Sequence, residues 1–148
     1  MNTEKYNLKA EATLTRFEFV SEGPKGTIRK LIEFQKTTVP GLFNLAFGDT
    51  DPQTGEMNDL SVSDNGDTDK VLATVVSSVY AFFEKHPNAY VYASGSTKAR
   101  TRLYRMGISR FYEEIKEDFY LYGQDGGNFP IFEIGVEYDG FLAQRKFD

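Results

Sequence analysis

The sequence predicts a single α+β domain over residues 1–148, a mixed and mostly antiparallel sheet carrying two main helices in the order strand, strand, strand, helix, strand, helix, strand, strand. Three observations predict it. At 148 residues and 40% hydrophobic content the chain has the size of one domain, and a domain of roughly 150 residues buries about 70% of its unfolded surface. The first third of the chain and its end are β-branched and aromatic runs cut by Pro and Gly turns. Between them lie two stretches of helical periodicity.

Taken in order, residues 11–20 (EATLTRFEFV) and 27–34 (TIRKLIEF) partly alternate and flank SEGPKG, a strong turn former, so they read as an antiparallel hairpin. Residues 42–47 (LFNLAF) form a third strand ending at Gly48-Asp49. From Asp49 to Asp69 come seven acids (Asp49, Asp51, Glu56, Asp59, Asp64, Asp67, Asp69), no bases, two Gly and one Pro. That composition predicts a solvated loop with a short strand at Leu60 to Val62. Asp67 or Thr68 then caps a helix of about 17 residues, because Val71, Leu72, Val75, Val76, Val79, Phe82 and Phe83 recur at helical spacing until His86-Pro87.

Residues 89–94 (AYVYAS) predict a short buried strand, and Gly95-Ser96-Thr97 a tight turn and helix cap. A basic helix follows to Asp118, with Gly107 placed to kink or divide it. FYLYG and NFPIFEIGVEYDGFLAQRK, rich in Phe, Ile and Tyr, predict two closing strands. No internal repeat or interdomain linker interrupts the chain.

Composition excludes several function classes. With no cysteine there is no disulfide framework, thiolate nucleophile or cysteine-held metal, and a single histidine removes most other metal and triad chemistry. Thirteen Phe and nine Tyr, without Trp, supply large buried areas that need no staple. The N-terminus has no apolar core for a signal peptide, and no stretch reaches the roughly 20 apolar residues that span a bilayer. A cytoplasmic address follows as the expectation. A formal charge of −5 argues against indiscriminate coating of DNA, so any nucleic-acid role must be local.

The first six elements run in the order of ribonuclease H-like folds, an analogy of element order that carries no activity. Two-metal nucleases of that fold place carboxylates on the first strand and at the end of the fourth. Here the fourth strand reads AYVYASGS and the first offers only Glu11 and Glu18, so Glu18 reads as a solvent-facing residue. Asp49-x-Asp51-x-Gln53 begins like a calcium loop, but Gly55 comes one place late and Leu60 stands where the bidentate carboxylate belongs. Turn and helix-cap roles account for SDNGDTD. His86, between Lys85 and Pro87, sits where a helix favours a cation, and no nucleophile elbow accompanies it. No catalytic residue, metal or cofactor is predicted.

The segment Ser96 to Arg110 (STKARTRLYRMGISR) carries five cationic side chains and no acid. At about 100° per residue, Lys98, Arg102 and Arg105 fall within an arc of roughly 60°, while Ala99, Leu103, Gly107, Phe111 and Ile115 form a row facing the core. Gly95-Ser96-Thr97 adds free amides, hydroxyls and the positive end of a helix dipole. Gly95, Ser96, Thr97, Lys98, Arg100, Arg102 and Arg105 are therefore the candidate anion-binding residues, with Tyr104 as a stacking face. Arg100 projects towards the apolar side, where a guanidinium wants a carboxylate or phosphate. Against this stands a structural reading, in which the arginines pair with the acidic loop or form a solvated face. One glycine is also few for a phosphate-cradling loop.

KVLATV at 70–75 and GSTKARTRLYRMGI at 95–108, with SEGPKG at 21–26, NLAFGD at 44–49 and NGD at 65–67, resemble a small bacterial domain-of-unknown-function family of about this length. The resemblance covers nearly the whole chain and implies no activity, cofactor or catalytic residue. The expectation is a non-enzymatic module that presents its basic helix start to an anionic partner, nucleic-acid phosphate or an acidic protein segment. One alternative is an enzyme on a phosphorylated small molecule, with Asp49 or Asp67 as base. Another is a self-assembling homo-oligomer whose basic helix is purely structural.

Overall fold

A computed structural model describes residues 3–58, 64–95 and 97–147. The elements are β1 (Lys9–Ala10), β2 (Arg16–Gly23), β3 (Gly26–Lys36), β4 (Leu42–Thr50), β5 (Met57–Asn58), α1 (Thr68–Lys85), β6 (Tyr90–Ala93), α2 (Lys98–Arg110), α3 (Tyr112–Asp118), β7 (Phe119–Gln124) and β8 (Gly140–Arg145). One mixed sheet runs β1-β2-β3-β4-β6-β8-β7, with β5 paired to β4. Among the described residues only β4 and β6 pair in parallel, and α1 makes the crossover between them. The predicted α+β class and element order hold, with two short strands, β1 and β5, added.

Side chains of alternating parity decide which face of the sheet is buried. Phe17 and Phe19 of β2, Ile32 and Phe34 of β3, Leu45 and Phe47 of β4 and Val91 of β6 are all buried in one cluster with Val71, Leu72, Val75, Phe82 and Phe83 of α1. Phe82 is the hub: its ring stacks on Phe34 at 4.3 Å and meets the edge of Phe43 at 5.0 Å. His86 closes α1, stacking on Phe82 with Nε2 2.9 Å from the Thr13 carbonyl. Its role is architectural, as its position before Pro87 suggested.

Four sequence expectations are corrected. The first long strand begins at Arg16 rather than at Glu11, because Leu14 takes a left-handed conformation (φ 54°) and donates its N–H to the Glu11 carbonyl in a tight turn. The basic helix divides at Phe111, not at Gly107: Phe111 leaves helical geometry as its ring enters the core, while Gly107 stays helical, where a Cβ would stand 3.1 Å from Leu72 Cδ2. The closing segment forms a strand only at Gly140–Arg145. Residues 125–139 are a loop, turned by Gly126 and Gly135 at positive φ, with Pro130 withholding a ladder donor. The acidic segment is not uniformly solvated either, since Asp49 is a buried residue within β4. The strand expected at Leu60 to Val62 lies outside the described residues.

Asp67 occupies the N-cap position of α1, yet its carboxylate makes no cap hydrogen bond. Its Oδ2 accepts instead from the Tyr6 and Ser21 hydroxyls, each at 2.5 Å. Buried Asn65 completes this junction: its Oδ1 accepts from Lys25 N–H at 2.7 Å, and its Nδ2 donates to Ser21 Oγ and the Gly26 carbonyl. Gly23 makes the approach feasible, because a Cβ there would lie 2.0 Å from the Asn65 carbonyl oxygen. The NGD turn is thus pinned to the SEGPKG hairpin.

Tyr80 of α1 donates to Asp118 Oδ2 at 2.6 Å, and burial, reinforced by this bond and by the Asp118 charge, holds its phenol well above its ordinary pKa of 10.0. A raised folded pKa means stability fully present below the unfolded pKa and lost as pH rises beyond it. The contribution of Tyr80 is therefore fully present below about pH 10 and falls as pH rises above it. Tyr80→Phe should fall less over that rise in urea unfolding; an equal fall in both proteins would remove Tyr80 as a cause.

Candidate functional site: a cationic cleft beside α2

The start of α2 is fixed by short-range chemistry. Thr97 caps the helix, its Oγ1 accepting from Arg100 N–H at 3.2 Å, and Gly95 N–H donates to Thr101 Oγ1 at 2.9 Å. Gly95 itself is demanded by proximity, since a Cβ there would fall 2.4 Å from Arg100 Cβ and 2.5 Å from the Thr101 nitrogen. The end of β6 therefore rests directly on the first turn of α2. Ser96, the remaining candidate of this turn, lies outside the described residues.

The core-facing row of the helix is Arg100, Tyr104, Gly107, Phe111 and Ile115, all buried, while Ala99 is exposed and Leu103 half-buried. The first two turns are thus rotated by one residue from the expected row. Arg100, 7% exposed, runs inward, with Nη2 3.6 Å from where a Gly48 Cβ would stand. Next to it, Lys30 (1% exposed) donates to Asp49 Oδ1 at 2.7 Å across the β3–β4 register. Two glycines, 95 and 48, make the room that the Arg100 stem and head occupy.

Two depressions flank the helix start, and Thr97 and Ala99 border both. On one side a recess of about 400 Å³ is lined by Lys30, Asp64, Asp67, Thr68 and Arg100. On the other an open cleft of about 820 Å³ is lined by Gly95, Lys98, Arg102 and Arg105, and across from them by Glu137, Tyr138 and Asp139 of the 125–139 loop. The candidate residues are thereby divided. Gly95, Thr97, Lys98, Arg102 and Arg105 share the open cleft, and Arg100 belongs to the interior.

Within the cleft Arg105 lies 3.8 Å from Glu137, whose side chain is almost fully exposed. Among the described residues no carboxylate comes within ion-pair distance of Lys98 or Arg102. At the far end of the helix Arg110 meets Asp69 of the acidic segment at 3.6 Å, both largely in solvent, a geometry that contributes little.

Sequence reasoning missed Lys30, Asn65, Glu137 and Asp139. For Lys30 a signal existed: it shares the parity of Ile28, Ile32 and Phe34, the buried side of β3. Among the described residues no group of three His, Cys, Asp or Glu side chains could hold a metal ion, and no helix is long and apolar enough to cross a membrane. A family model described as a family of unknown function matches residues 2–146. No curated protein and no solved structure gives a significant match.

Proposed function

We propose that this chain, which belongs to the family DUF6934, is a cytoplasmic, non-enzymatic binding module whose open cleft beside α2 holds an anionic partner. One observation carries the reading: Lys98, Arg102 and Arg105 line a single cleft at a capped helix start, where the backbone amides and helix dipole add positive potential. Two carboxylates, Glu137 and Asp139, share that cleft, so the excess is one formal positive charge within a chain of −5.

The enzymatic alternative gains less from the geometry. A general base must reach its substrate's proton, whereas Asp49 is engaged by Lys30 and Asp67 by two hydroxyls. For the binding module, affinity for a labelled oligo-dT or polyglutamate probe should fall with salt. Lys98→Ala and Arg102→Ala should each weaken it, and each should reduce the salt slope for the oligonucleotide by about 1. Fluorescence anisotropy at several salt concentrations reads both. Salt-independent binding, or binding untouched by Arg102→Ala, would refute the reading.

A further inference from the structure

The far wall of the cleft is made by a loop that is both firmly held and conspicuously apolar. Tyr138 packs on Phe132 and Phe141 at 5.6 and 6.2 Å and lies flush against Gly123, where a Cβ would meet its ring at 2.4 Å. Its hydroxyl accepts from Glu133 N–H at 3.1 Å. Asp139 N–H donates to the Gln124 carbonyl at 2.8 Å, and Asp139 Oδ2 accepts from Gly126 N–H at 3.1 Å. A loop tied down at this many points could have turned its apolar residues inward.

Phe132 does turn inward, at 2% exposure, but Phe129, Ile131, Ile134 and Val136 are 42%, 73%, 56% and 39% exposed. Single exposed apolar residues are ordinary, but four within eight consecutive positions on an anchored loop mark a surface that is covered by something else. Ile134 and Val136 lead directly into Glu137, which faces Arg105 across the cleft. Cations line one wall of the cleft, and the exposed aliphatic residues lie just before Glu137, Tyr138 and Asp139, the part of the loop that lines the other.

We infer that the partner is a protein segment carrying carboxylates and apolar side chains together; this rests on the cleft being an anion site, and adds the class of the anion. Carboxylates answer Lys98 and Arg102, and apolar side chains cover Ile134 and Val136. Nucleic acid matches less well. Binding to single strands uses aromatic faces for stacking, yet three of the four exposed residues are aliphatic and Tyr138 is committed to the loop's own packing.

The test uses the full chain and three labelled probes in fluorescence anisotropy: a 14-residue peptide alternating Glu with Leu and Phe, polyglutamate of the same charge, and oligo-dT of the same charge. The peptide should bind tightest. Ile134→Ser with Val136→Ser should weaken the peptide by at least about tenfold through lost apolar burial and leave the two purely anionic probes unchanged, while Arg102→Ala weakens all three. Both serine positions are well exposed, and an unchanged circular dichroism melt verifies the fold. Oligo-dT binding as tightly as the peptide, or a peptide indifferent to the double serine variant, overturns the inference and leaves the anion cleft standing. Arg102→Ala without effect, or no binding by any probe, overturns both.

Discussion

Asp49→Ala is expected to cost about 3–5 kcal/mol of folding stability, the range typical when one member of a buried ion pair is removed. Lys30 sits at the centre of the sheet with almost no exposure, and Asp49, on the adjacent strand, holds its ammonium at 2.7 Å. Taking the carboxylate away removes the 2.7 Å partner of a desolvated ammonium that borders the same recess as Arg100. The Phe47 ring, 5.8 Å from the ammonium, is too weak a substitute: such contacts contribute about 0.5–2 kcal/mol. Replacing both partners should be far milder, so Lys30→Met with Asp49→Leu should recover most of the loss. Urea unfolding of the three variants decides it; a single variant within about 1 kcal/mol of wild type would show that the pair is not what keeps Lys30 inside.

Gly95→Ala should cost about 2–3 kcal/mol and loosen the cleft with it. Its φ lies outside the region that favours glycine, so the constraint is space alone. The new methyl would meet the Arg100 Cβ and the Thr101 nitrogen, both under 2.6 Å away and neither at the end of a flexible side chain. Relief requires α2 to move off β6, which displaces Thr97, Lys98 and Arg102 together. The variant should therefore lose anion affinity as well as stability, whereas Arg102→Ala should lose affinity alone. A Gly95→Ala protein with wild-type stability would mean that the strand and helix are less tightly apposed than the geometry requires.

Much of the architecture was legible because period and turn chemistry are local. The Val71 to Phe83 periodicity located α1, and SEGPKG located the β2–β3 turn. What was not legible depended on tertiary packing. A helix of mixed character such as α2 can present either of two neighbouring rows to the core. The choice of Arg100 and Tyr104 over Ala99 and Leu103 depends on the space left by Gly48 and Gly95, which lie on different strands or loops. The NFPIFEIGVEYDGF segment looked like a strand because Phe, Ile and Val have high β propensity. Its glycines at positive φ, its proline and the docking of Tyr138 against Gly123 made it an anchored loop instead. Similarly, Asp49 and Asp67 read as loop acids until Lys30, Tyr6 and Ser21 came into reach.

The most direct test of the cleft is an amide chemical-shift titration of the labelled full chain with polyglutamate and, separately, oligo-dT. Salt-sensitive shifts are expected to centre on Gly95, Thr97, Lys98, Arg102 and Arg105 and to extend across to Glu137 and Asp139. Shifts confined to other cations, such as Lys25 and Arg29 of the β2–β3 hairpin, or no shifts with either probe, would contradict the cleft as the anion site.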